Sequence, residues 1–330
     1  MPLFRALAVK FKIVDYPGER KVHHQVTPLL GGVAIYVGLL VGLSLYGVDC
    51  FKLWYLLSAA TLVMAVGLID DARGLSARFR LFAQIVAALI VVMFGDRINC
   101  LPKSWWGDLL EIIISVVWIV GITNGYNYLD GLDGLAGGSA AINLISFALI
   151  LHVTDQPYLT HLSIILAGTC LAFLPHNLGK KKIFLGDAGS TFIGFILASI
   201  GLLGYWAEGS IVKISIPILI LGVPIFDMIF TTFMRIREKK VSTIQQWLEY
   251  GGRDHFHHYL VDLGLMSFGS VVFIYFVSIS LGLSALIIKE STTLIALLSI
   301  FQAALLFGMV AILMVMGRHY HSNQNSHGHQ

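Results

Sequence analysis

Leu53-Trp-Tyr-Leu-Leu-Ser-Ala-Ala-Thr-Leu-Val-Met-Ala-Val-Gly-Leu-Ile-Asp70-Asp71 is the stretch whose reading decides the fold. From Leu53 to Ile69 it carries no charged side chain, and it then ends on two adjacent carboxylates. A run of this length sits at the lower end of the about 17–25 apolar residues that carry a helix across a bilayer. Similar runs recur along the whole chain. Of its 330 residues 57% are hydrophobic and only 12% are charged, with a mean hydropathy of +0.80. Soluble domains have about 45–50% apolar and about 25% charged residues. There is too little charge here to cover a globule in water. The composition excludes a disordered chain, an ordinary cytosolic domain and a nucleic-acid-binding module, so no nucleic acid is expected as a partner. The expectation is an all-α, polytopic integral membrane protein whose partner is the lipid bilayer.

Apolar runs place about ten transmembrane helices. They cover roughly Leu29–Val48, Leu53–Ile69, Phe79–Gly95, Leu109–Gly125, Leu135–His152, Tyr158–His176, Thr191–Trp206, Ile211–Phe230, Phe268–Ile288 and Thr292–Met316. Trp54, Tyr55, Trp105, Trp106, Tyr158, Tyr205 and Trp206 fall near span ends, where amphipathic rings favour the headgroup level. The chain reads as one domain over 1–330. Its parts are an entry segment at 1–28, a large loop at 231–267 and a polar tail at 317–330. The basic segment Met1–Lys21 is not followed by a small-residue cleavage site, so no cleavable signal peptide is expected. Cys50, Cys100 and Cys170 lie far apart and read as packing residues.

Loop charge sets the sidedness. With ten spans, the side holding the N-terminal segment carries 17 of the 22 Lys and Arg residues, and the other side carries Lys52, Arg97, Lys103, Lys213 and Lys289. Positive charge accumulates on the cytoplasmic side. The entry segment, the 231–267 loop and the tail are therefore expected in the cytoplasm.

Carboxylates at a membrane edge are costly, so their placement is informative. Asp70 and Asp71 close the second span. Asn124, Asn127, Asp130 and Asp133 follow the fourth, in Asn124-Gly-Tyr-Asn-Tyr-Leu-Asp-Gly-Leu-Asp-Gly134. Asp187 sits in Phe184-Leu-Gly-Asp187, after Lys180-Lys-Lys182, and the large loop carries Arg253-Asp-His-Phe-His-His258. Taken singly, each has a bland reading as a helix cap, a tight turn or a solvated loop. Asp227 reads as a packing or helix-pairing polar residue, and His319, His321, His327 and His329 as a solvated tail. All four clusters, however, are expected at the same end of different helices. Carboxylate and amide oxygens suit Mg²⁺, which is commonly shared with substrate phosphates, while histidines and basic residues suit diphosphate oxygens. These are the parts of phosphoryl transfer. The residues point to a metal-assisted enzyme acting on a phosphorylated substrate at the inner face, and do not name that substrate.

The motifs resemble those of the polyprenyl-phosphate N-acetylhexosamine-1-phosphate transferases, the superfamily of MraY, WecA and TagO. The resemblance runs through nearly the whole chain. It covers the entry segment Asp15-Tyr-Pro-Gly-Glu-Arg-Lys-Val-His23 with Pro28-Leu-Leu-Gly-Gly32, the pair Asp70-Asp71, the Asn124–Gly134 motif, Phe184–Asp187 and His255-Phe-His-His258. It implies transfer of a sugar-1-phosphate, GlcNAc-1-phosphate in the nearer WecA and TagO branch, from a UDP-N-acetylhexosamine to undecaprenyl phosphate. UMP is released, and the lipid-linked product primes cell-envelope glycan synthesis.

Carried onto this sequence, the resemblance implies that Asp187 and Asn127 hold Mg²⁺, for which Mn²⁺ is a substitute. Phe184, Asp130 and the Gly131–Leu132 backbone would meet the nucleoside, and Asn124 and Asp133 would shape the same donor pocket. Asp70 would orient or deprotonate the lipid phosphate with Asp71 in support. His255, His257 and His258 would bind donor phosphates, helped by Arg80. The setting implied is a bacterial cytoplasmic (inner) membrane with the active site facing the cytoplasm, and exposed helix faces permit a homodimer.

Three features depart from the family pattern: Arg80 stands where the family has Lys, Leu29 where relatives often have Arg, and only 14 residues precede Asp15. A phospho-MurNAc-pentapeptide transferase is the neighbouring alternative. An intramembrane aspartyl protease fits less well, because Leu185 rather than Gly stands two residues before Asp187. A secondary transporter should show internal repeats, and none is evident.

Overall fold

The computed structural model describes residues 1–16, 26–98, 101–179, 182–207, 210–250, 252 and 254–327. Arg253, Lys180, Lys181, Cys100, His329 and the part of the entry segment from Pro17 to Gln25 lie outside the described residues. Almost everything described is helical. The chain forms two compact units, Met1–Trp206 and Ala207–Gln330.

The first unit opens with α1 (Pro2–Lys10) and a two-stranded antiparallel pair, β1 (Val14–Asp15) with β2 (Thr27–Pro28), in which Val14 faces Pro28 and Asp15 faces Thr27. Then follow α2 (Gly31–Leu45), a 3-10 turn at Cys50–Leu53, α3 (Trp54–Arg73), α4 (Ala77–Phe94), α5 (Trp105–Leu129), α6 (Leu135–Val153), α7 (Pro157–Leu178) and α8 (Gly186–Leu203). α8 is buried along nearly its whole length and packs against α3, α5, α2 and α6. It can sit so deep because its facing positions are small. A Cβ added to Gly67 on α3 would come within 2.6 Å of Ala188 Cα, and one added to Gly32 on α2 within 2.2 Å of Gly189 Cα. Polar pins fix the remaining contacts: Trp118 Nε1 donates to the Ala198 carbonyl at 2.9 Å, and Asn143 Nδ2 donates to the Tyr126 hydroxyl at 2.5 Å.

The second unit holds α9 (Ser210–Ile220), α10 (Gly222–Arg237), the short α11 (Ile244–Glu249) and α12 (Phe256–Asp262), then α13 (Ser267–Ile288) and α14 (Thr293–His327). α13 packs on α9, α10, α12 and α14. Phe226 on α10 stacks on Phe307 of α14 at 4.4 Å between ring centroids and meets Phe256 of α12 edge-on at 5.2 Å.

Eight helices among the described residues are long and apolar enough to cross a membrane. The protein is a multi-pass membrane protein, but two of the ten expected spans differ in the structure. Leu29–Val48 is realised as the 15-residue α2, because Leu29 precedes the helix, Leu30 is its N-cap at φ −89° and ψ 23°, and Gly47, at φ +69°, follows the helix end. Ile211–Phe230 is broken into α9 and α10 with a 78° bend. Pro224 explains the break: it has no N–H to offer the Ile220 carbonyl, and its ring excludes that carbonyl from a continuing helix. The backbone of α14 also continues through the expected polar tail to His327.

Because α3 and α8 touch backbone to backbone, Gly67→Ala is expected to lower the thermal unfolding midpoint of the detergent-purified protein. The cost of overpacking is about 1–3 kcal/mol. An unchanged midpoint would show that the two helices part without penalty.

Candidate active site

The site in the first unit is built from helix ends. α3 stops at Gly74, whose φ of +69° suits glycine, and the Gly74 N–H bonds the Asp70 carbonyl. Ser76 caps α4 by accepting the Phe79 N–H. The link between the two helices is so short that Arg80, in the first turns of α4, lies beside Asp70 and the start of α8. One guanidinium nitrogen, Arg80 Nη1, donates to Asp70 Oδ2 at 2.7 Å and to Asp187 Oδ2 at 2.9 Å. The other oxygen of Asp70 accepts the Leu75 N–H at 2.5 Å. Asp187 Oδ1 accepts from Asn127 Nδ2 at 2.7 Å, and the same amide reaches Ser190 Oγ at 2.9 Å. The Asp70 side chain is 6% exposed and that of Asp187 is 35%, so Asp187 is the carboxylate that presents surface to an incoming ligand.

Asp71 faces a different task. Its Oδ1 accepts the Asp187 N–H at 2.8 Å and its Oδ2 the Ala188 N–H at 3.1 Å. A helix begins with N–H groups that have no partner within the helix, and here a side chain from α3 satisfies two of them for α8. The negative charge also suits the positive end of that helix. Gly186 makes the approach feasible, since it has φ +74° and a Cβ there would lie 2.5 Å from Asp71 Oδ2. Asp70 and Asp71, adjacent in sequence, thus separate into one carboxylate held by Arg80 and one that fixes the backbone carrying Asp187.

The α5 motif divides in the same way. Asn124 is engaged in helix pairing, donating to Gln84 Oε1 on α4 at 2.7 Å and to the Val120 carbonyl at 2.8 Å. Asn127, one turn further, faces Asp187. Asp130 follows the end of α5; burial, and then the charges of Asp187, Asp71 and Asp133, push it well above the usual carboxylate range. Gly131 is exposed and Leu132 is buried, so the Leu132 side chain belongs to the core. Asp133 pairs with Lys182.

Asn177, at the end of α7, joins the two motif loops. Its Oδ1 accepts the N–H of Gly134, a residue at φ +81°, at 2.5 Å, and its Nδ2 donates to the Ile183 carbonyl at 3.1 Å. The entry segment completes the wall. The Phe184 N–H bonds the Pro28 carbonyl at 2.8 Å, while the Gly31 and Gly32 N–H groups bond the Phe184 and Leu185 carbonyls. A small groove lined by Val63, Val66, Gly67, Ala83, Gln84 and Thr191 opens beside Arg80 and Asp187.

The structure therefore brings Asp70, Asp71, Arg80, Asn127 and Asp187 into one hydrogen-bonded network. Gln84, Ser190, Asn177 and Lys182 join its surroundings although the sequence reading gave them no role. Uncharged Asn and Gln inside helices leave no periodic signal, whereas Lys182 and Ser190 flank Asp187 in the stretch Lys180–Ser190. Among the described residues no three His, Cys, Asp or Glu side chains converge as a metal site.

The His loop belongs to the second unit. His255 Nδ1 lies 3.0 Å from Asp227 Oδ2, so His255 is engaged within its own unit. His257 is 1% exposed, and neither ring nitrogen has a hydrogen-bonding partner among the described residues. Burial, and then the neighbouring His258, push His257 down to about 3, which leaves it neutral. Burial opposes charge on Asp254 too, but its bonds to Arg235 outweigh this and hold it below the usual range.

In this multi-pass protein, helix ends gather carboxylates, an amide and a guanidinium into one network, with Arg80 and Asp187 at the groove, a chemistry suited to phosphorylated substrates. Residues 53–205 match the family model described as Glycosyl transferase family 4. The chain is 33% identical to a "Probable undecaprenyl-phosphate N-acetylglucosaminyl 1-phosphate transferase" of Bacillus subtilis, covering 94% of this chain and 87% of that protein. It is also 33% identical to a "Decaprenyl-phosphate N-acetylglucosaminephosphotransferase" of Mycolicibacterium smegmatis, over 82% of this chain and 74% of the relative. With an "Undecaprenyl-phosphate alpha-N-acetylglucosaminyl 1-phosphate transferase" of Yersinia pestis the identity is 28%, over 92% and 85%. The chain belongs to the polyprenyl-phosphate N-acetylhexosamine-1-phosphate transferase superfamily and is a phosphotransferase for substituted phosphate groups.

The neutral state of His257 gives a pH prediction. The unfolded chain binds a proton at this position below about pH 6.5, whereas the folded form resists it down to about 3. Stability is therefore fully present above about pH 6.5 and is lost as the pH falls toward the folded value. Asp254, with its depressed folded value, adds to the loss at the acid end. Thermal melts of His257→Phe between about pH 6.5 and pH 4 are expected to decline less steeply than wild type. Parallel declines would refute the buried neutral imidazole.

Proposed function

We propose that the protein transfers GlcNAc-1-phosphate from UDP-GlcNAc to undecaprenyl phosphate, releasing UMP. The observation that carries this reading is the bridge from Arg80 to both Asp70 and Asp187, with Asn127 on the far side of Asp187. Two carboxylates, Asp70 and Asp187, share one guanidinium, and the repulsion between them is what a divalent cation and a phosphate-bearing ligand would relieve. The names of the relatives support the same transferred group, GlcNAc-1-phosphate, and the same acceptor.

The donor set fits Mg²⁺. It offers hard oxygens, the Asp187 carboxylate and, after a half-turn of its amide, Asn127 Oδ1. An ion that keeps its waters and shares substrate phosphates needs few protein ligands. When bound, such an ion offsets charge on the transferring phosphates.

The rest is done by the chain's own residues. Asp70, tied to Arg80 and the Leu75 N–H, orients the lipid phosphate, while Arg80 supplies a permanent positive charge for its oxygens. Asp71 fixes the backbone from which Asp187 projects. A lipid phosphate oxygen forms a bond to the sugar-bearing phosphorus as the bond from that phosphorus to the bridging oxygen breaks. UMP leaves with the electron pair, which requires the two oxygens to lie in line. Phe184, Asp130 and the Gly131–Leu132 backbone receive the nucleoside, and Asn124 and Asp133 hold the loops that shape this pocket. The His255–His258 loop contributes to binding the donor phosphates. The positive charge distribution supports a cytoplasmic-facing site, and the bacterial relatives support a bacterial inner membrane.

Purified protein incubated with labelled UDP-GlcNAc, undecaprenyl phosphate and Mg²⁺ is expected to yield labelled lipid and UMP. Chelation should abolish the product, and Mg²⁺ or Mn²⁺ should restore it. Asp187→Asn should lower kcat by about 100-fold or more, in the range seen when a charge-stabilising group is removed, with unfolding unchanged. Transfer from UDP-MurNAc-pentapeptide alone would move the protein to the neighbouring branch. Wild-type turnover by Asp187→Asn would sink the assignment of that residue.

A further inference from the structure

Asp227, Thr231 and Arg235 stand four residues apart on α10, so they form one stripe along one helix face. All three are buried in a membrane protein that has little charge to spare: Asp227 is 0% exposed, Thr231 2% and Arg235 1%. Among the described residues, all three bond the segment Asp254–Phe256. Arg235 Nε and Nη2 donate to the two oxygens of Asp254 at 2.9 Å each, in the paired geometry that makes such bonds strong. The Tyr250 ring lies 4.8 Å from the same guanidinium. Thr231 Oγ1 donates to the Asp254 carbonyl at 3.2 Å. Asp227 Oδ1 accepts the Phe256 N–H at 2.5 Å, which satisfies the start of α12, and Asp227 Oδ2 faces His255 Nδ1 at 3.0 Å.

Going down α10 from Asp227 to Arg235 corresponds to going back along the loop from Phe256 to Asp254. The His255 ring is held at both ends. Its Nε2 lies 3.3 Å from Arg235 Nη2, which can only donate. Nε2 must therefore accept, and Nδ1 carries the proton given to Asp227.

We propose that Asp227, Thr231 and Arg235 are positioning residues that hold the His255–His258 loop in its donor-binding conformation, with His255 as an anchor and His257 as a group that meets the donor. The inference rests on the reading of this loop as donor-binding. It divides the histidine motif by role. His255 has its ring nitrogens committed within the unit, whereas both ring nitrogens of His257 are buried without a hydrogen bond among the described residues. An imidazole left in that state costs free energy, and a phosphate oxygen of the donor would satisfy one of its nitrogens.

Asp227→Asn is the discriminating variant because it keeps size and shape. Its amide oxygen can still accept the Phe256 N–H, but its NH₂ then meets the Nδ1–H of His255. Reversing the tautomer would only turn Nε2–H toward Arg235. The full-length protein in detergent is assayed for transfer from UDP-GlcNAc to undecaprenyl phosphate, with KM measured separately for each substrate. Asp227→Asn is expected to raise KM for UDP-GlcNAc about 10-fold, leave KM for the lipid within about two-fold and keep the unfolding midpoint; such selectivity is not expected of general loosening. His257→Ala should give the same donor-selective change. The double variant should be little worse than either single one, because coupled residues are not additive. Full multiplication of the two effects, or an equal rise in both KM values, overturns the proposal.

Hydrogen exchange separates this from the reading beneath it. Asp227→Ala, lacking both acceptors, should accelerate exchange across 254–263 without any substrate present. Unchanged exchange overturns the bracing whatever the reaction proves to be. Should wild-type protein transfer nothing from UDP-GlcNAc, the functional reading fails, and the exchange result alone decides whether α10 holds the loop.

Discussion

The Asp71 carboxylate, reaching from the end of α3 to the Asp187 and Ala188 N–H groups in the first turn of α8, is the contact on which the geometry of the first unit depends. It joins the helix that supplies Asp70 to the helix that supplies Asp187, and it does so through the backbone. Asp187 is thereby fixed at its Cα and not by its side chain, whose two oxygens remain for Arg80 and Asn127. The contact requires a residue without a Cβ at Gly186, and it requires α3 and α8 to lie against each other at Gly67 and Ala188. Sequence features scattered over more than a hundred residues serve one close approach.

The second unit solves a similar problem by other means. A short helix, α12, carries the histidines and has too few residues to be stable alone. Aromatic packing from Phe226 and Phe230 holds one side of it, through Phe256 and Tyr259. Buried charge holds its entrance. An isolated buried charge would be prohibitive, and a buried ion pair contributes less to stability than to fixing one arrangement over its competitors. That is the role Arg235 and Asp254 fit: the pair sets the conformation of a loop whose apolar neighbours would tolerate several.

Much of this was legible in the sequence, and the parts that were not share a cause. Long apolar runs announced the spans, and carboxylates at their ends announced the site, because both are exceptions to a strong background. The break at Leu221 was missed, although Pro224 was in plain view, since hydropathy averages over a proline and returns one span. The separation of Asp70 from Asp71 could not be read either. Adjacent identical residues on a helix point about 100° apart, and which of them meets Arg80 depends on where α4 and α8 come to lie. Asn177, Gln84 and Ser190 act by hydrogen bonds to groups distant in sequence. From the sequence Asp227 reads as a packing or helix-pairing polar residue; its partner, the loop ahead of α12, becomes visible only when the chain has folded back.

The stripe on α10 has a direction. Read from Asp227 to Arg235 it runs acid, hydroxyl, base, and the strand of loop opposite offers N–H donors, a carbonyl, then an acid. Sliding α10 by one turn would put Thr231 in the place where Asp227 accepts the Phe256 N–H and leave Arg235 facing a carbonyl, with an unmatched carboxylate at each end. The sequence of polarities therefore acts as an index mark. Among the smooth, interchangeable apolar side chains around it, it admits one register and makes its neighbours one turn away expensive.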